Sequence, residues 1–223
     1  MKFAIIVFPG SNCDHDAYKV LDSLEGAYPS FVWHKENNLS AFDCIIIPGG
    51  FSYGDYLRAG AIARFSKIME SVISESKKGK YIIGICNGFQ ILLESNLLEG
   101  ALINNNKIKF KSKQISLNTL NYQTPFTKNI PVGKEMIMPI AHRQGNYLAS
   151  EDLLKKLQDN NQIAFTYSNL MGGNPNGSCL DIAGIFNENN NVLGMMPHPE
   201  RASDKILGSN DGLHIFESIL GVG

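Results

Sequence analysis

Three short and almost wholly apolar runs constrain this chain most: Phe3 to Phe8, Cys44 to Ile47 and Tyr81 to Ile85. They have strand length, are rich in isoleucine, and lack the alternation of a strand with one wet face. Such runs suit parallel strands covered on both sides. The stretches between them supply the cover. Asp14 to Glu25 places Ala17, Val20, Leu21 and Leu24 on one helical face, and Ala59 to Ser76 does the same with Ile62, Phe65, Ile68, Met69 and Val72. A third helix is expected from just after Cys86, through Ile91, Leu92 and Leu93, to about Ser95. This β-α-β alternation predicts an α/β fold, an open and mostly parallel sheet with helices on both faces, of flavodoxin-like type.

Residues 101 to 140 change character. Short runs, Lys107 to Lys111 and Met136 to Ile140, are separated by asparagine-rich turns, which predicts a small antiparallel layer attached to the main sheet. Ile182 to Phe186 and Val192 to Met196 form a hairpin pattern bridged by Asn187-Glu188-Asn189-Asn190-Asn191, and Gly212 to Leu220 reads as a last helix. No repeat or linker divides the 223 residues, so one domain spanning 1 to 223 is expected.

A formal net charge of -1 offers nothing to nucleic acid or to an anionic membrane. No apolar run approaches the ~20 residues that cross a bilayer, and Phe3 to Phe8 is too brief for a secretory signal. The four cysteines, Cys13, Cys44, Cys86 and Cys179, form no C-x-x-C pair. That argues against a zinc site or a disulfide framework and fits a reducing, cytoplasmic setting.

Among these cysteines Cys86 has a distinctive setting. Gly84-Ile85-Cys86-Asn87-Gly88 joins a predicted strand to a predicted helix with the G-x-x-x-G spacing of a nucleophile elbow, where a strained turn lifts the central residue above the sheet. The helix N-terminus favours a thiolate there. The alternative is a small buried residue at a tight turn. The other three cysteines read as core. For a base, Met196-Pro197-His198-Pro199-Glu200-Arg201 stands out. Pro199 biases His198 toward extended backbone, so that His198 and Glu200 project to one side. His15, His34 and His214 lie in regular patterns without a nearby acid and read as structural or exposed. Ile47-Pro48-Gly49-Gly50 ends a strand in two glycines, where backbone N–H groups can approach an oxyanion, with the Asn87 N–H as a second donor. Alone, Pro-Gly-Gly marks ordinary turns far more often.

Taken in order, PGG at 48 to 50, G-x-C-x-G at 84 to 88 and HPE at 198 to 200 resemble the triad-type (class I) glutamine amidotransferases. FPGSNCD at 8 to 14, GGFSYGDYLRAGAIA at 49 to 63, GICNGFQIL at 84 to 92, NPNGS at 174 to 178 and PHPER at 197 to 201 further resemble the glutaminase subunits of phosphoribosylformylglycinamidine synthases. The resemblance implies Cys86 as nucleophile, His198 as base and Glu200 as its orienting partner, with Gly49, Gly50 and Gln90 holding glutamine. It implies no metal or cofactor in this chain. ATP and magnesium would be used by a large synthetase subunit, joined in many systems by a small third subunit. The sequence agrees in having no G-x-x-x-x-G-K-S/T loop. One departure is Gln144, in His142-Arg143-Gln144-Gly145, where the resembled family usually carries an acid. A cysteine hydrolase of the wider fold, a silent binding subunit and an amidotransferase for another acceptor are the competing readings.

Overall fold

The computed structural model describes residues 1–221. In chain order the elements are β1 (Lys2–Val7), α1 (Asp14–Asp22), β2 (Tyr28–Trp33), β3 (Cys44–Ile47), α2 (Lys67–Lys77), β4 (Tyr81–Ile85), α3 (Asn87–Glu94) and β5 (Ala101–Ile103). There follow β6 (Lys111–Thr119), β7 (Met136–His142), β8 (Asn146–Leu148), α4 (Glu151–Asp159), β9 (Ile163–Tyr167), β10 (Ile182–Phe186), β11 (Val192–Met195) and α5 (Leu213–Leu220).

Nine strands form one sheet in the order β2-β1-β3-β4-β11-β10-β9-β6-β7. The first five run parallel, and the ladder from β11 onward is antiparallel. The three apolar runs are the inner parallel strands. Cys44 to Ile47 are wholly buried, as a strand covered on both sides requires. A separate two-stranded sheet pairs β5 with β8. The sheet carries the α/β architecture read from the periodicities. No helix among the described residues is long and apolar enough to cross a membrane.

Several boundaries differ from expectation. The helix read over Ala59 to Ser76 begins only at Lys67, after a 3-10 turn at Ala63–Phe65. Gly60 has φ +79°, and a Cβ there would lie 2.8 Å from Ile91 N, so close packing on α3 overrides helical periodicity in 59–66. Helix α1 stops at Asp22 rather than Glu25. The run Lys107 to Lys111 is a 3-10 turn over Asn106–Ile108 leading into β6; β6 with β7 forms an antiparallel hairpin joined to the main sheet through β9, and the small separate antiparallel pair is β5 with β8. The 182–196 hairpin forms as read. Its turn is closed by Asn187 Oδ1, which accepts from the N–H groups of Asn191 and Val192 at 3.0 and 2.9 Å, with Asn190 left-handed at φ 53°.

Candidate active site

Strand β4 ends one residue before Cys86, whose N–H donates to the Met195 carbonyl of β11 at 2.8 Å. Cys86 then takes φ 51° and ψ −103°, and α3 starts at Asn87. A non-glycine residue held there costs about 1–3 kcal/mol, which the surrounding packing must sustain. The flanking glycines show how. A Cβ on Gly84 would meet Gly88 backbone at 2.7 Å, and one on Gly88 would run into the Ile47 carbonyl. Helix α3 can therefore press against β3 and β4 only because both positions lack side chains. The resulting bend leaves Cys86 5% exposed on the wall of a cavity of about 340 Å³.

His198 follows β11 in extended backbone, φ −103° and ψ 91°, as Pro199 dictates, and its N–H bonds to the Pro139 carbonyl of β7 at 2.9 Å. Pro199–Arg201 then turns as a 3-10 helix, so Glu200 reaches the imidazole around a turn rather than from one face of a strand. His198 Nδ1 lies 2.6 Å from Glu200 Oε1, with both side chains buried. Burial works against an imidazolium here, but the Glu200 carboxylate and the Cys86 sulfur outweigh it and raise the His198 pKa well above the ordinary value. A Cβ on Gly49 would fall 2.7 Å from His198 Cε1 and 3.4 Å from Cys86 Cβ. Gly49 is thus the gap through which thiol and imidazole approach.

Cys13 is buried, as its reading as core requires, but its sulfur has polar neighbours. Its sulfur accepts from Arg201 Nη2 at 3.2 Å, and it offers, with His198 and Glu200, one donor atom each within 4.8 Å of one another. That donor set suits a soft divalent cation. The guanidinium against the thiol and the Glu200–His198 hydrogen bond both oppose one. Cys179 is not core, being only partly buried in a turn. Cys44 is fully buried, and burial pushes its thiol pKa up.

The remaining wall is polar and tightly bonded. Gln90 Nε2 donates to the Gln144 carbonyl at 2.7 Å, while its Oε1 accepts from Asn87 Nδ2 at 2.9 Å. Asn87 Oδ1 in turn accepts from Ser52 N at 3.1 Å. Gly50 lines the cavity at φ +136°, where a Cβ would strike Asn12 N at 2.8 Å; Gly49 does not line it. Asn87, as first residue of α3, holds its N–H among those without an intrahelical acceptor. Loop 142–145 is clamped from behind. Asn105 Oδ1 accepts from Gly145 N at 3.0 Å and faces His142 Nδ1 at 3.2 Å, and Asn176 Nδ2 donates to the Gly145 carbonyl at 2.6 Å. Burial, with His198 nearby, lowers the His142 pKa to about 3, so this imidazole is neutral.

Residues 1–212 match the family model described as a CobB/CobQ-like glutamine amidotransferase domain. The chain belongs to this glutamine amidotransferase family. It is 43% identical to a chain of the structure of PurLQS from Thermotoga maritima, covering 99% of this chain and 97% of that one, with a TM-score of 0.89. A Thermotoga maritima glutamine amidotransferase superposes with a TM-score of 0.63 at 14% identity, covering 99% and 98% of the two chains. The glutaminase domain of Trypanosoma brucei CTPS with bound acivicin gives 0.62 at 11%, covering 100% and 95%. These last two share the fold.

Within this glutamine amidotransferase the sequence-derived residues Cys86, His198, Glu200, Gly50 and Gln90 gather at one end of the parallel strands. Sequence reasoning missed Cys13, Asn105, Asn176 and Asp55. Of these, Cys13, Asp55 and Asn176 stood inside quoted motifs, which was a usable signal; Asn105 stood in an asparagine run that reads as any turn. His15 and His214, read as lacking an acid, have Asp14 at 3.0 Å and Glu217 at 3.2 Å, both local pairs outside the cavity.

Proposed function

We propose that this chain is the glutaminase subunit of a phosphoribosylformylglycinamidine synthase, acting in the cytoplasm in purine biosynthesis. The observation that carries the reading is the likeness to the PurLQS chain over 99% of the sequence, joined to the 2.6 Å His198–Glu200 pair beside Cys86. In this mechanism the Cys86 thiolate attacks the side-chain amide carbon of glutamine. The Gly50 and Asn87 N–H groups receive the oxyanion. His198, its Nδ1–H donating to Glu200, gives its Nε2 proton to the departing ammonia. It then takes a proton from the water that cleaves the glutamyl thioester, releasing glutamate and restoring the thiolate.

Ammonia passes to a separate synthetase subunit, which uses ATP and magnesium to convert formylglycinamide ribonucleotide to the amidine, with a small third subunit completing the assembly. The segment 50–60 at the cavity mouth suits docking of that partner, since Tyr56 and Leu57 are 74% and 92% exposed. Docking is expected to aim the Gly50 donor. One well-placed oxyanion donor is worth about 3 kcal/mol, or roughly 10²-fold in rate. Glutamine hydrolysis is measured with the chain alone and with the synthetase and its nucleotide substrates. A rise of that order supports the reading, and equal rates would reject coupling.

A further inference from the structure

Residues 8 to 14, the FPGSNCD stretch, stay off the cavity wall, yet the fold straps them to the loop that lines it. Phe51 N donates to the Gly10 carbonyl at 3.1 Å, Tyr53 N to the Pro9 carbonyl at 2.6 Å and Cys13 N to the Gly49 carbonyl at 3.3 Å, while Ser11 bridges Gly50. Gly10 has φ +87°, and a Cβ there would strike the Phe51 carbonyl, so the two loops meet backbone to backbone. Cys13, just ahead of α1, is thereby carried to the His198–Glu200 pair. Its sulfur lies within 4.8 Å of a ring nitrogen of His198 and of a Glu200 carboxylate oxygen.

That sulfur is fixed on two sides. Its S–H donates to Asn12 Oδ1 at 3.4 Å, and it accepts from Arg201 Nη2, whose Nε is anchored on Asp16. The thiol proton is thus committed, and Cys13 faces the imidazole as a fixed body of sulfur instead of a rival proton donor. His198, in contrast, is tethered at one ring atom. Glu200 holds Nδ1, while the buried Nε2 has no hydrogen-bond partner among the described residues. The second side-chain torsion of a histidine is soft, so a ring tied at one nitrogen pivots unless packing stops it.

We propose that Cys13 is a positioning residue for the base: locked by Arg201 and Asn12, its sulfur blocks the pivot of His198 and keeps Nε2 aimed at Cys86. The role belongs to the glutaminase reading and rests on it. The geometry over Gly49 supports it, since the point where a Cβ would stand lies 2.7 Å from His198 Cε1, 3.2 Å from the Cys13 sulfur and 3.4 Å from Cys86 Cβ. Cε1 sits between the two ring nitrogens, so whatever confines that edge fixes the direction of both. Cys13 and Cys86 close the same hollow, but only Cys86 also lines the cavity.

The test follows alkylation of Cys86 by a small neutral haloacetamide against pH on the full chain. The titratable and charged groups around His198 are Glu200 on the turn that follows it, Cys86 before α3, Cys13 before α1 and the neutral His142 ending β7, with Arg201 and Asp16 one contact further out. Cys13→Ala leaves Glu200, Cys86 and His142 in place. An imidazolium held close lowers a thiol pKa by about one unit or more, so a ring free to pivot is expected to move the acid limb up by about one pH unit and to slow alkylation below it about tenfold. Cys13→Ser keeps a donor for Asn12 and an acceptor for Arg201, and its limb is expected to stay within about half a unit of the parent's. Arg201→Lys keeps the charge but cannot hold the sulfur and Asp16 together, so it is expected to shift the limb in the same direction as alanine, and it carries the test should Cys13→Ala not fold. An unmoved limb in Cys13→Ala or Arg201→Lys, or a serine limb displaced as far as alanine's, overturns the proposal. The alkylation needs no glutamine. Should the complex hydrolyse none while the limbs move as expected, the function falls and the positioning stands.

Discussion

Arg201 Nη2 donates to the Cys13 sulfur at 3.2 Å while its Nε holds Asp16 at 3.0 Å, so a second thiol is locked beside the His198–Glu200 pair. Only Cys86 of these two cysteines lines the cavity. Burial raises the Cys13 pKa even with His198 and Arg201 close by, which keeps it a poor nucleophile. A glutamine-mimicking electrophile is therefore expected to modify Cys86 alone among the four cysteines. Peptide mapping after partial labelling checks this, and adducts on Cys13 before Cys86 would count against it.

His198→Ala is expected to lower glutamine turnover by about 10²- to 10⁴-fold, the range for loss of a general acid–base group. Glu200→Gln should leave a larger residual rate, because it misplaces the base instead of removing it. The pH profile distinguishes the two. Glu200 favours the imidazolium against the effect of burial, so without its charge His198 loses its proton at lower pH. The alkaline limb of Cys86 alkylation in Glu200→Gln should shift toward lower pH; an unmoved limb would separate Glu200 from the base.

Asn176 is fully buried and bonds both the Gly145 carbonyl and, at 3.1 Å, the Tyr167 hydroxyl. Asn176→Ala leaves the Gly145 carbonyl with only the Ser178 hydroxyl, at 3.3 Å, costs about 1 kcal/mol for the lost hydrogen bond and loosens the loop that carries Gln144. The expected result is a KM for glutamine raised about tenfold with a smaller change in kcat, read by steady-state kinetics with the synthetase present. A kcat loss with unchanged KM would place the clamp elsewhere in the cycle.

Asp55 carries a stability signature of its own. Its folded pKa of about 6 exceeds the ordinary carboxylate value, so between those two pH values the folded chain keeps a proton that the unfolded chain has released. Stability contributed by that proton falls as pH rises through the window. Asp55→Asn is expected to gain about 1 kcal/mol at about pH 8, after allowance for solvent screening of a half-exposed group, and to lose the gain as pH falls toward about 4. Denaturant midpoints at the two pH values check the sign.

Much of this was legible beforehand because burial on both sides writes itself into composition. Cys44 to Ile47 and Tyr81 to Ile85 appear as strands at the boundaries read from the sequence. The edge strand Tyr28–Trp33 was missed because it is mostly exposed and contains Pro29. Helix α4 was missed although Ser150 caps it, accepting from Leu153 N at 3.3 Å, because only Leu157 is fully buried and the apolar stripe is thin. At the site, residues whose chemistry depends on local chain geometry, such as Cys86 and His198, were readable. Those that act through tertiary contacts from an unremarkable stretch, such as Asn105 against Gly145, carry no local pattern.

The sheet order has a bearing on how the chain is made. Strand β11 lies between β4 and β10, and it brings His198 beside a cysteine that follows β4. During synthesis the thiol emerges long before its base, and the first four parallel strands can pair without either partner of the imidazole couple. Inserting β11 closes a pairing of high sequence separation, the slow kind of contact in folding. The nascent chain is thus expected to carry an idle cysteine until the segment bearing β11 and His198 has left the ribosome and paired, so that glutamine is not consumed by molecules still short of that segment.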